Sequence, residues 1–197
     1  MRPLRGRFKR VITSVAVVLA IVIAGTAVTA TPASAHYFGL TKMDDSRVDF
    51  GSDEDVNDHF LFWNHFVHYQ MTDQYDARTD LSGVEQCRHC WNDGTDIVWF
   101  AFPIPNASNG SRVLGDWSCR SFTLSGKCDR GRLRFNEGLT RAISGAAGFA
   151  ITCHEIGHAT GAEHYSDGGC MPASMNVNAP FTNVLSRHHI DHINSQY

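Results

Sequence analysis

The eleven residues His154-Glu155-Ile156-Gly157-His158-Ala159-Thr160-Gly161-Ala162-Glu163-His164 constrain this chain more than any others. A helix turns once in roughly 3.6 residues, so His154 and His158 project from one face about a turn apart. Glu155 follows the first histidine directly, which sets its carboxylate beside a metal held by that face. Gly161 can take the left-handed conformation that ends a helix, letting the chain swing back to present His164 as a third ligand. Three neutral imidazoles leave a zinc ion its full charge and an open position for water, the arrangement of a catalytic site. The plain alternative is a helix with surface histidines and a glycine cap. It asks chance to supply three ligands, a base and a turn residue at once.

The stretch leading into this motif, Ala142 to Cys153, is apolar, uncharged and rich in small residues. It predicts a buried helix, on which a cluster of histidines needs a reason; zinc provides one.

HExxHxxGxxH resembles the signature of the metzincin clan of zinc metallopeptidases, whose second hallmark is a methionine turn beneath the metal. Gly169-Cys170-Met171-Pro172 looks like that turn, with Met171 as the candidate and Met175 the competitor. The resemblance runs from His154 to about Met175, and small secreted matrixin-like or snapalysin-like enzymes are the closest kinds. Two positions depart from better-known families: Tyr165 follows the third histidine, and Ala173 stands where some families place a tyrosine. The resemblance implies an α+β catalytic domain: a twisted mixed sheet, an active-site helix, a backing helix and a small C-terminal subdomain ending in a helix. It also implies Glu155 as general base, His154, His158 and His164 as zinc ligands, and a protein or peptide substrate.

The N-terminus reads as a targeting segment. Arg2, Arg5, Arg7, Lys9 and Arg10 form a basic region, Val11 to Ala24 an apolar one, and Ala33-Ser34-Ala35 a cleavage site. An uncleaved anchor is the rival reading, for which the apolar run is short. Cleavage after residue 35 would leave one domain, residues 36–197, with twelve Lys and Arg against twenty Asp and Glu, a formal charge of −8. That balance argues against nucleic acid or an anionic membrane as partner and suits a secreted, extracellular monomer.

All six cysteines follow the cleavage site, and in an exported chain they read as disulfides. Cys153 precedes His154 and Cys170 precedes Met171, so a Cys153–Cys170 bridge would tie the helix to the methionine turn. Cys119–Cys128 would close a local loop, and Cys87–Cys90 would follow by elimination. Half of a second zinc site, or a redox motif, is the other reading of Cys87 and Cys90.

Elsewhere the pattern is α+β. Ser46–Phe50 and Arg132–Asn136 read as strands, and Asp96–Pro103 as a central strand covered on both faces. Phe60, Trp63, Val67 and Met71 recur at helical spacing within Asp58–Tyr75, and a last helix is expected over Asn183–Asn194. His59, His65 and His68 read as surface decoration, and the late cluster His188-His189-Ile190-Asp191-His192 as an adventitious metal binder at most. The acidic run Asp53–Asp58 lacks the spacing of a calcium loop and reads as a solvated helix start, leaving Ca2+ weakly supported. Asn106 and Asn109 open glycosylation sequons.

The sequence thus predicts a secreted zinc endopeptidase. A zinc-binding, non-catalytic protein is the alternative, though inactivation commonly removes the base and Glu155 is present. A copper site at an exposed N-terminal His36 would need a β-sandwich that the helical motif opposes.

Overall fold

A computed structural model describes residues 42–53, 58–88, 94–139, 142–166, 168–176, 180 and 182–197. Five strands form one mixed sheet: β1 (Arg47–Ser52), β2 (Ser82–Arg88), β3 (Ile97–Phe102), β4 (Gly115–Phe122) and β5 (Cys128–Asn136). Their order is β2-β1-β3-β5-β4; the first four run parallel, and β4 pairs antiparallel with β5 at the edge. A tight hairpin sets that exception. Gly126, at φ 82°, turns the chain between the two strands, and a Cys119–Cys128 disulfide ties them.

One sheet face is covered by helices. Val48, Phe50, Trp99, Leu133 and Phe135 are all buried, alternating along their strands as period-2 geometry requires. Trp63 stacks on Phe135 with ring centroids 4.5 Å apart, and Phe60 on Trp99 at 5.7 Å. Burying such aromatic surface stabilises the layer by roughly 25 cal/mol per Å². β3 departs from its expected double cover. Ile97, Val98 and Trp99 are buried, but the strand then climbs out of the core, leaving Phe102 48% exposed.

The first helix is more complex than its spacing predicts. α1 (Asp58–His68) passes into a π-helical segment, Tyr69–Tyr75, and a final turn, α2 (Asp76–Arg78). Each π turn holds an extra residue, so the buried stripe slips by one position. Trp63 and Val67 are followed inward by Gln70 and Met71, then Gln74 and Tyr75. The slip delivers the Tyr75 hydroxyl to the next helix.

That helix, α3 (Gly145–Ala159), begins at Ser144, whose Oγ accepts from the Ala147 amide at 3.3 Å. It is buried almost throughout from Ala147 to its end. Beyond it the chain forms a small lower region closed by α4 (Arg187–Asn194). α4 starts later than Asn183 because Ser186 caps it, accepting from the His189 amide at 3.3 Å.

No helix among the described residues is long and apolar enough to cross a membrane. The targeting segment, His36, residues 54–57 of the acidic run and Cys90, hence the Cys87–Cys90 pairing, lie outside the described residues. Asn106 and Asn109 are exposed.

Candidate metal centre

α3 ends as a glycine cap should. Thr160 closes the helix, Gly161 takes φ 88°, its amide bonds the His158 carbonyl oxygen at 3.1 Å, and the Ala162 amide bonds that of Gly157 at 2.8 Å. This paired bond turns the chain back over its own last turn and brings His164 to the two helix histidines.

The three Nε2 atoms stand 3.1 Å apart pairwise. Nδ1 of His154 lies 3.0 Å from the carbonyl oxygen of Cys170, and Nδ1 of His158 lies 3.1 Å from that of Ala162. A carbonyl only accepts, so each of these Nδ1 atoms carries the proton and each Nε2 presents a bare lone pair. Lone pairs facing one another at this distance repel, and a cation between them removes the conflict. Tetrahedral zinc with Zn–N of about 2.0–2.1 Å separates its ligand nitrogens by about 3.3–3.4 Å, close to the triangle observed. The donor set therefore fits zinc. Burial drives the His154 imidazole well below its ordinary pKa and His158 down to about 4, with neighbouring imidazoles adding to both. His164 is lowered by burial as well. All three are thus held in the neutral form that binds metal. No other group of three such side chains converges among the described residues.

Glu155 is 2% exposed, and its Oε2 has no hydrogen-bond partner among the described residues. An orphaned buried acceptor costs on the order of 1–3 kcal/mol, which a water or substrate hydrogen at the site would offset. Burial pushes this carboxyl well above the usual carboxylate range, and the Asp116 charge pushes further. Asp116 is in turn held by Arg134 through a bidentate pair, Nε to Oδ1 at 2.6 Å and Nη2 to Oδ2. The first residue of β4 makes room for the base. A Cβ on Gly115 would lie 2.8 Å from Glu155 Cγ.

Beneath α3, Met171 is fully buried against Gly157, where an added Cβ would meet its Sδ at 2.2 Å. Met175 instead lines a surface groove of about 310 Å³ with Gly169, Pro172, Ser174, Pro180 and Thr182. A disulfide joins Cys153 to Cys170. Tyr75 Oη donates to the Cys153 carbonyl at 2.7 Å, and burial raises its pKa so that it remains a donor.

Spacing alone does not find Gly115, Tyr75 or Asp116, and it gives no sign that His189 of the late cluster is buried. His189 is 1% exposed; its Nε2 lies 3.1 Å from the carbonyl oxygen of Glu163, just before the third histidine. His59, His65 and His68 are away from the triad on α1, and His68 lies 3.4 Å from Glu85.

No family model matches the chain, and no curated protein matches its sequence. Among solved structures, the crystal structure of myroilysin superposes with a TM-score of 0.53 at 13% identity, covering 86% of this chain and 91% of that one. That likeness concerns the fold. It agrees with the expected metzincin-like α+β domain: a five-stranded mixed sheet, a backing helix, the motif-bearing helix and a small C-terminal part ending in a helix.

Proposed function

We propose that this chain is a secreted zinc endopeptidase in which Glu155 is the general base. The observation that carries the reading is the closed triangle of histidine Nε2 atoms with the buried Glu155, whose Oε2 has no hydrogen-bond partner among the described residues, on the same helical turn. His154, His158 and His164 would hold the ion. Zinc, when bound, supplies Lewis acidity to a water and to the scissile carbonyl. Glu155 takes a proton from the attacking water as its oxygen bonds to the carbonyl carbon, then delivers it to the leaving amine as the C–N bond breaks. Met171 touches no substrate; it fills the space under α3 and keeps the helix from sinking.

A peptide substrate is supported by β4. It is an edge strand whose first residue touches Glu155, and an unpaired edge can bond an extended chain. Its eight residues offer pairing along a chain rather than at a terminus, the ground for internal cleavage. Export rests on the cleavable N-terminal pattern of residues 1–35 and is supported by two disulfides among the described residues.

The test is metal analysis of purified protein beside cleavage of a mixed peptide library with and without chelator. About one zinc per chain and chelator-sensitive cleavage support the proposal. Tight zinc binding without cleavage of any peptide would favour the non-catalytic alternative.

A further inference from the structure

The face of β4 and β5 turned away from the helices gathers positive charge. Gly131, Leu133 and Phe135 point inward and are buried, so Arg130, Arg132 and Arg134 alternate with them on the outer face. β4 meets them there, with Asp116 opposite Arg134 and Ser118 opposite Arg132. The pairing then slips by one between Cys119 and Ser121, and Arg120 is the extra residue. A bulge of this kind re-aims a side chain at a sheet edge. Here it gives Arg120 to the arginine face. Desolvation, then the charges of Arg132 and Arg134, lower its pKa against the pull of Asp116.

These guanidinium groups are differently engaged. Arg134 holds Asp116 through a bidentate pair. Arg132 lies over the Phe100 ring, its Cζ 5.6 Å from the centroid, a contact that leaves its charge in place. Arg120 is exposed and has no hydrogen-bond or ion-pair partner among the described residues. Asp116, which also draws on Arg120, is already held by Arg134. Arg120 therefore brings a cation without a counter-ion to a face of like charge, in a chain whose acidic residues outnumber its basic ones.

β4 is also the edge strand that begins beside Glu155. An extended substrate laid along it turns every second side chain toward the arginine face, because directly opposed residues of paired strands share a face. Arg120 follows Gly115 by five residues, about 16 Å at roughly 3.3 Å per residue. The Asp116–Arg134 pair beside it shows which group suits this face: the planar guanidinium fork matches a carboxylate.

We propose that Arg120 is a specificity-determining residue that selects an aspartate or glutamate of the substrate about five residues from the scissile bond. It anchors the chain on β4 and touches no reacting atom. The proposal rests on the peptidase reading above.

The experiment moves a single glutamate, and separately a single lysine, along a neutral peptide on both sides of the scissile bond. Cleavage by wild type is compared with cleavage by Arg120→Glu. Binding of the same peptides to zinc-loaded Glu155→Gln protein, with and without Arg120→Glu, is followed by fluorescence anisotropy. Wild type should favour glutamate over lysine by about three- to fivefold in kcat/KM, at one position about five residues from the cut. Arg120→Glu should invert the ratio at that position. A wild-type ratio near one at every position, or a ratio that Arg120→Glu does not shift, overturns the role of Arg120. Absence of cleavage from every peptide counts instead against the peptidase reading. The anisotropy then still decides for or against Arg120: weaker binding of lysine peptides that Arg120→Glu reverses supports it, and equal binding overturns it.

Discussion

His154 Nδ1 and the carbonyl oxygen of Cys170 stand 3.0 Å apart, and the sulfur of Cys170 is bonded to Cys153, the residue before His154. One covalent link therefore fixes both the helix that presents the histidine and the acceptor that sets its tautomer. Groups in this outer position typically govern metal affinity by about 10–100-fold. Replacing both cysteines with serine should weaken zinc retention by that order, measured by competition with a chelator. The 17-residue separation also implies a stability loss of about 3 kcal/mol. A lower melting temperature with unaltered zinc affinity would show that the bridge serves the fold alone.

Gly115→Ala tests how the base is placed. The new methyl would lie 2.8 Å from Glu155 Cγ and 3.0 Å from the Arg134 carbonyl oxygen, so β4 cannot retreat without losing its pairing with β5. The side chain must move, and misplacing a reacting group by an ångström costs about 10²-fold in rate. Zinc content should stay at the wild-type level. Wild-type turnover in this variant would detach Gly115 from the positioning of Glu155.

Gly157→Ala should reverse a familiar sign. In an exposed helix the change stabilises by about 1 kcal/mol. Here the methyl meets Met171 Sδ at 2.2 Å and Tyr75 Oη at 3.1 Å. Overpacking of this kind costs about 1–3 kcal/mol, to be read from denaturant unfolding. A stabilised variant would mean that Met171 is not seated under the helix.

Much of the centre was legible because it is local. The three histidines, Glu155 and the turning Gly161 lie within two turns and a cap, where helical spacing fixes geometry. Ser144 likewise stands where the motif-bearing helix begins, whereas the Ser186 cap starts the last helix later than the expected Asn183. Contacts made across the fold left no such trace. Nothing in the sequence marks Gly115 until β4 is laid beside α3, and β4 hides its own alternation behind irregular pairing between Cys119 and Phe122. Tyr75 faces Cys153 only because a π-helical segment shifts the phase of the first helix, which no simple 3.6-residue count includes.

Asp96 gives a pH signature away from the metal. Burial first, then the charges of Asp45, Asp49 and Asp44, raise its pKa to about 7, although the Asp49 amide donates to its Oδ2 at 2.7 Å. The folded state thus prefers the protonated acid. Its contribution is fully present below the unfolded value of about 3.9 and is lost as pH rises to about 7. Asp96→Asn keeps an acceptor for the Asp49 amide without the charge. It should raise the melting temperature at pH 8 and change it little at acid pH, as thermal unfolding across that range would reveal. An unchanged melting temperature at pH 8 would contradict this.

Glu155→Gln, measured beside His158→Ala for zinc content and peptide cleavage, tests the central claim most directly. Glutamine keeps the size and reach of the buried side chain but cannot take the proton from water. Zinc content should match wild type while the rate falls by about 10²–10⁴, the usual loss with a general base. His158→Ala should lose zinc and activity together, since it removes one corner of the nitrogen triangle. Cleavage by the glutamine variant at close to the wild-type rate would contradict the account.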